Sequence, residues 1–261
     1  MKFFRWPFAP QSVVLVYKIW LENDGNPIPT GYLRSLDKRK PRGAKVILWS
    51  SQAETRALLA RHQDQFPGIY ELFWAPYTSP VMRSDILRLL LIYDRAGIYS
   101  DHDIEWGRKP VPTGPDFVAW TEFVNSDEAV QKNMAMTREF RGDVPEYNVR
   151  IANYVFWSRR PHSPILARCL NRIQERLGRN AHAPLSQYGV LYNTGPDVMT
   201  DTIVEGLPDP ATLKPFEKCE HNNTEWTDKD GERVLLLGRQ PGRIFARHEI
   251  HGAWRAAHAS N

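Results

Sequence analysis

The segment from Ser79 to Ser100 constrains the fold of this chain more than any other. Pro80 to Ala96 reads as one helix. Ser79 is an N-cap residue, Pro80 fits the first turn, and Gly97 fits the position just past the last turn. Val81, Met82, Ile86, Leu87, Leu89, Leu90, Leu91 and Ile92 spread apolar surface around most of that helix. A helix that is apolar on nearly all sides must be buried. Ile98–Ser100 follows at once and reads as a strand. Upstream, Val13–Tyr17 and Val46–Trp49 are short apolar runs of the buried-strand type. Tyr32–Lys40 and Gln52–His62 have helical character, and Tyr70–Trp74 reads as a third, short strand. This alternation predicts an α/β fold with a largely parallel sheet and helices on both faces.

Beyond Lys109 the pattern loosens. Phe117–Thr121 and Ile151–Trp157 read as strands, Pro164–Gly178 and Pro196–Glu205 as helices. Phe216–Arg233 is polar and reads as a loop or hairpin; Arg243–Ile250 is a last strand candidate. No repeat and no linker divides the chain, so residues 1–261 are expected to form a single domain with an irregular C-terminal half.

Charge and cysteine content narrow the partners. Thirty-four Lys and Arg against 30 Asp and Glu leave a net charge of +4, too mild to argue for nucleic acid. Two cysteines, Cys169 and Cys219, are too few for a disulfide scaffold or a structural zinc site. Reduced thiols are the simpler reading, which favours a cytoplasmic protein. No run of 18 apolar residues predicts a transmembrane helix. The start, MKFFRWPFAP, is aromatic and basic, but Arg5, Pro7 and Pro10 interrupt it. It reads as a packed or loose arm, with weak membrane-surface contact through Phe3, Phe4, Trp6 and Phe8 as the alternative.

Several common motifs are missing. There is no GxGxxG after a strand, no GxxxxGK[ST] and no GxSxG. His248-Glu249-Ile250-His251 has its histidines three apart, so it is not HExxH. Two Asp-x-Asp pairs occur: Asp101-His102-Asp103 and Asp228-Lys229-Asp230. A chain with 15 aspartates holds such a pair by chance, so spacing alone decides nothing. Context separates them. Asp228 and Asp230 precede Gly231 in a polar stretch, where a turn explains them. Asp101 and Asp103 close a strand that follows a buried helix, at the carboxyl edge where open α/β sheets bind ligands. Hard oxygen ligands of this kind suit Mg²⁺ or Mn²⁺ carrying a diphosphate. A solvated acidic loop remains the competing reading of the pair itself.

The flanking residues are more specific. Ser84-Asp85-Ile86-Leu87-Arg88, then Leu91, then Ala96-Gly97-Ile98-Tyr99-Ser100-Asp101-His102-Asp103 closely resembles the central block of the DXD-containing glycosyltransferases of the sugar-binding-region group. That group includes glycosyltransferase family 32, capsular polysaccharide enzymes and, distantly, the large clostridial glucosylating toxins. Ala96 stands where the family has a first glycine. Val16-Tyr17-Lys18-Ile19-Trp20 resembles the family's opening strand, Tyr192-Asn193-Thr194-Gly195-Pro196 its T-G-P loop, and His248–Trp254 its closing H-x-x-x-G-S-W, with Ala253 for Ser. The resemblance implies a GT-A fold, Rossmann-like with a mixed central sheet. It assigns 1–110 to nucleotide binding, and 111–261 to the acceptor and a C-terminal lid. It implies a metal-dependent, retaining glycosyltransferase that moves a sugar from a UDP- or GDP-sugar to an acceptor hydroxyl.

The same resemblance assigns roles. Asp85 and Arg88, three apart and so on one helix face, touch the donor sugar and diphosphate; a plain ion pair is the structural alternative. Asp103 is the direct metal ligand, and Asp101 holds the ribose or a metal-bound water. His248 is the third ligand, with Glu249 competing for the place. Trp254 donates its indole N–H to a phosphate oxygen. Trp20 stacks on the nucleobase, Tyr99 lies beside the diphosphate, and Asn153 contacts the sugar; ordinary packing explains Trp20 and Tyr99 as well, and a strand-end cap explains Asn153. No carboxylate stands out as a general base. A nucleotide-sugar hydrolase and a non-catalytic sugar- or nucleotide-binding module are the alternative functions.

Overall fold

The structure is a computed structural model that describes residues 14–21, 28, 30–36, 40–106, 112, 114–142, 147–179, 186–208, 223–238 and, for the backbone alone, 246–248. The first half gives β1 (Leu15–Ile19), α1 (Thr30–Leu36), β2 (Lys45–Trp49), α2 (Gln52–Arg61), α3 (Pro67–Trp74), α4 (Pro80–Arg95), β3 (Gly97–Ser100) and β4 (Ile104–Trp106). Then come β5 (Phe117–Val124), α5 (Asp127–Arg141), β6 (Val149–Ser158), α6 (Pro164–Arg179), α7 (Gln187–Asn193), α8 (Pro196–Glu205), β7 (Thr224–Thr227), β8 (Arg233–Leu237) and β9 (Ala246–His248).

Seven strands form one mixed sheet in the order β2-β1-β3-β6-β5-β8-β7. β1 is parallel to β2 and β3, whereas β6 runs antiparallel to both β3 and β5. β8 is parallel to β5, and β7 closes the edge antiparallel to β8. This is the mixed central sheet expected of a GT-A-like α/β fold. It is less parallel than the first half of the sequence suggested, because β6 enters between β3 and β5. A separate two-stranded ribbon pairs β4 with β9.

The larger core cluster packs helix side chains against one sheet face. Tyr17, Tyr99, Phe117 and Phe156 meet Ile86, Leu90, Leu170, Ile173 and Met199 there. The other face is filled by strand residues, with Val16, Ile98, Trp120, Trp157 and Leu235 packed on Ile104. Bulky Trp side chains are prominent on that face.

Tyr70–Trp74, expected to be a strand, is the second half of α3. Pro67 fits its first turn, and Ile69, Leu72 and Phe73 are buried at helical spacing. β1 lies two residues later than expected, and the loose region holds α5, a helix the sequence reading missed. α4 is as expected: Ser79 caps it by accepting from Met82 N, and Pro80 opens it. Its exit is tight. Ala96 has φ 58 and Gly97 φ 100, and a Cβ on Gly97 would stand 2.9 Å from the Leu15 carbonyl oxygen. Glycine is needed there for both reasons. That turn sends the chain from α4 straight into β3.

Candidate functional site at the carboxyl edge of the sheet

α4 precedes β3 and runs back along it, so its N-terminal turns lie at the carboxyl ends of β1 and β3. Asp85 and Arg88 sit on those turns and are both buried. β3 ends at Ser100, and Asp101–Ile104 forms a tight turn closed by Ile104 N donating to the Asp101 carbonyl at 3.3 Å. β6 passes beside it, with Asp101 N donating to the Tyr154 carbonyl at 2.9 Å. Helix, turn and strand therefore converge on one point.

The side chains there form one network. Asn153 Nδ2 donates to Asp85 Oδ1 at 3.0 Å, and the Thr194 hydroxyl to Asp85 Oδ2 at 3.0 Å. Arg88 lies 3.2 Å from Asp85 Oδ1 and 3.6 Å from Asp101 Oδ1. It also donates to the Asn153 carbonyl at 3.2 Å and sits over the Tyr99 ring, 4.9 Å from its centroid. The Tyr99 hydroxyl donates to Asp101 Oδ1. Asp101 keeps a quarter of its side chain exposed, whereas Asp103 is buried and His102 faces solvent. The two carboxylates thus differ in exposure.

Burial dominates the electrostatics. It pushes the Asp85 carboxyl up to about 6, against the opposing pull of Arg88, Thr194 and Asn153. Burial also works against the Arg88 charge, but Asp101, Tyr99, Asp85 and Asp103 together outweigh it and raise its pKa. The site therefore holds a fixed, desolvated guanidinium among three carboxylates.

Of the residues singled out from the sequence, the structure brings Asp85, Arg88, Tyr99, Asp101, Asp103 and Asn153 together. Trp20 stands at the same edge, half-buried at the end of β1, its backbone N–H donating to the Trp49 carbonyl at 2.9 Å. His248 reaches the site by backbone pairing: its Cα stands opposite Ile104, one residue past Asp103. Its side chain, Glu249 and Trp254 lie outside the described residues. Among the described residues no three His, Cys, Asp or Glu side chains converge as a metal cluster. The donor set that is present, two carboxylates on one turn, fits an ion that completes its shell with diphosphate oxygens and water.

Sequence reasoning missed two members of the site. Thr194 was legible only as part of a loop motif, yet it is 1% exposed and bonds Asp85. Lys18 interrupts an apolar strand, and that interruption was the available signal. The second Asp-x-Asp is a turn, as expected: Asp228 Oδ1 accepts from the backbone N–H of Asp230 and of Glu232. It is not solvated, because Asp228 is buried and bonded to Arg168 at 2.7 Å. Arg160 is exposed and reaches Asp116.

Residues 30–120 match the family model described as glycosyltransferase sugar-binding region containing DXD motif. The chain carries a glycosyltransferase-like sugar-binding region. The match spans Asp85, Arg88, Tyr99, Asp101 and Asp103. A solved structure titled PaToxG Glycosyltransferase is similar at TM-score 0.44 and 16% identity, over 78% of this chain and 74% of that one. No curated protein sequence matches the chain. Among the described residues no helix is long and apolar enough to cross a membrane.

Proposed function

We propose that the chain is a metal-dependent, retaining glycosyltransferase that moves a sugar from a UDP- or GDP-sugar to an acceptor hydroxyl. The observation that carries this is the buried Asp85–Arg88–Asp101 network beside the Asp101–Ile104 turn. A buried pair with a perturbed carboxyl at a sheet's carboxyl edge is costly to the fold, and such arrangements cluster at functional sites.

In this reading Arg88 meets the diphosphate and steadies the charge that develops as it leaves. Asp85 holds donor-sugar hydroxyls, kept in place by Thr194 and Asn153. Asp101 and Asp103 would hold Mn²⁺ or Mg²⁺, with His248 or Glu249 as the third protein ligand. The ion's chemistry is neutralisation of the leaving nucleoside diphosphate. Trp20 stacks on the base, and Trp254 donates to a phosphate oxygen. In the transfer, the bond from the anomeric carbon to the diphosphate oxygen breaks. A bond to the acceptor oxygen forms on the same face, and the acceptor proton passes to the diphosphate. The whole chain is read as one cytoplasmic domain, 1–110 for the nucleotide and 111–261 for the acceptor and lid, serving polysaccharide or glycoconjugate synthesis.

The test is a panel of UDP- and GDP-sugars with Mn²⁺ and a set of saccharide acceptors, read as nucleoside diphosphate release. Release that needs both metal and acceptor supports the transferase. Release that is as fast without any acceptor would replace it with a nucleotide-sugar hydrolase. Nucleotide binding with no turnover across the panel would leave a binding module.

A further inference from the structure

Lys18 is fully buried, in the middle of β1, on the sheet face that holds Val16, Ile98 and Ile104. An ammonium in such a place is costly unless it is well compensated. Its Nζ donates to the Asp101 carbonyl at 2.7 Å and lies 3.3 Å from the Ser100 carbonyl and 3.4 Å from the Ser100 hydroxyl. All of these acceptors belong to the end of β3 and the start of the Asp101–Ile104 turn. The Asp101 carbonyl also accepts from Ile104 N at 3.3 Å, the bond that closes the turn, and from the Ser100 hydroxyl at 3.2 Å. Trp106 Nε1 donates to that hydroxyl at 3.1 Å, which ties β4 into the same knot.

We propose that Lys18 is a positioning residue of the donor site, its ammonium clamping the Asp101–Ile104 turn so that Asp101 and Asp103 are presented in one fixed arrangement. The proposal rests on the donor-site reading above and adds a residue to it. The logic is preorganisation. Asp101 and Asp103 repel each other and Asp85, so the free turn is biased to open. A cation bonded to the Ser100 and Asp101 carbonyls holds the turn closed through its backbone. Trp106 and Ser100 add to the hold from the same sheet face.

The clamp and simple electrostatics predict opposite signs. Removing a buried positive charge near two carboxylates should by itself tighten a divalent cation, because the local potential becomes more negative. Loss of the clamp should weaken it, because the carboxylates are no longer held together. The experiment uses the full chain with Lys18→Met, which keeps the unbranched length and drops the charge. The first readout is hydrogen exchange of the Ile104 amide without ligand, expected at least about 10-fold faster in the variant. The second is the Mn²⁺ concentration that half-saturates stabilisation by UDP, and separately by GDP, in thermal melts, expected to rise about 10-fold or more. Ser100→Ala removes one link of the knot and leaves the ammonium; it should move both readouts the same way by less, and it serves if Lys18→Met does not fold. Unchanged exchange at Ile104 in the folded variants, or a half-saturating Mn²⁺ concentration that stays the same or falls, overturns the proposal. If the unmodified chain shows no Mn²⁺-dependent stabilisation by either nucleotide, the donor-site reading falls, and exchange at Ile104 alone decides whether Lys18 holds the turn.

Discussion

Replacing Asp85 with Asn separates a functional carboxylate from a structural one. Burial raises its pKa from the ordinary 3.8 to about 6 in the folded chain. The sign follows from linkage. A raised folded pKa means the folded state keeps a proton that the unfolded state has released, so the contribution is fully present below about pH 4 and lost as pH rises through about 6. At 1.36 kcal/mol per pH unit the loss is about 3 kcal/mol above pH 6. Asn removes the buried charge yet keeps the bonds. Its amide oxygen accepts from Asn153 Nδ2 as Oδ1 does, and its NH₂ donates to the Thr194 hydroxyl, which can reverse its role. Arg88 loses one anion but retains Asp101 3.6 Å away. Asp85→Asn should therefore stabilise the ligand-free protein at pH 8 by about 1–3 kcal/mol, or about 3–10 °C in Tm for a chain of this size. The gain should vanish near pH 4. Donor turnover should fall at least 100-fold, because a neutral amide no longer balances Arg88 or accepts two sugar hydroxyls. Thermal melts at pH 8 and pH 4.5 with nucleoside diphosphate release on the same samples check this. A variant less stable than the parent at pH 8 would refute it and make Asp85–Arg88 a structural ion pair.

Asp103→Ala should abolish transfer and remove the Mn²⁺ dependence of nucleotide binding, measured by thermal shift. Asp228→Ala should leave turnover within about twofold but cost about 1–3 kcal/mol in urea melts, because it removes the buried partner of Arg168, leaving it Asp230 alone, and leaves two turn amides unpaired. An exchange of behaviour between those two variants would mean the wrong Asp-x-Asp was chosen. Arg88→Lys keeps the charge but loses the planar fork, and should lower kcat by about 10²-fold or more with a smaller change in KM. Tyr99→Phe removes the hydroxyl that donates to Asp101 while keeping the ring against Arg88 and Phe156, so nucleotide affinity should fall about 3–10-fold with melting nearly unchanged.

What was legible in the sequence follows from where the information sits. α4 could be bounded almost to the residue because cap, proline and glycine signals are local and agree with its apolar pattern. α3 was misread because Ile69-Tyr70-Glu71-Leu72-Phe73-Trp74 is short, aromatic and apolar, and such a run fits helix or strand equally until packing decides. The sheet order was not legible, since nothing local in Val149–Ser158 says that it runs between β3 and β5. The site divides the same way. Asp85, Arg88, Asp101 and Asp103 lie within 19 residues, and their spacing carried the reading. Thr194 and Lys18 join them only through contacts spanning 109 and 83 residues. A lysine inside an apolar strand looks from sequence like an edge or a register error. Its burial acquires a reason only once Ser100 and Asp101 are seen beside it, where the carbonyls that end one strand meet the charge carried by the next.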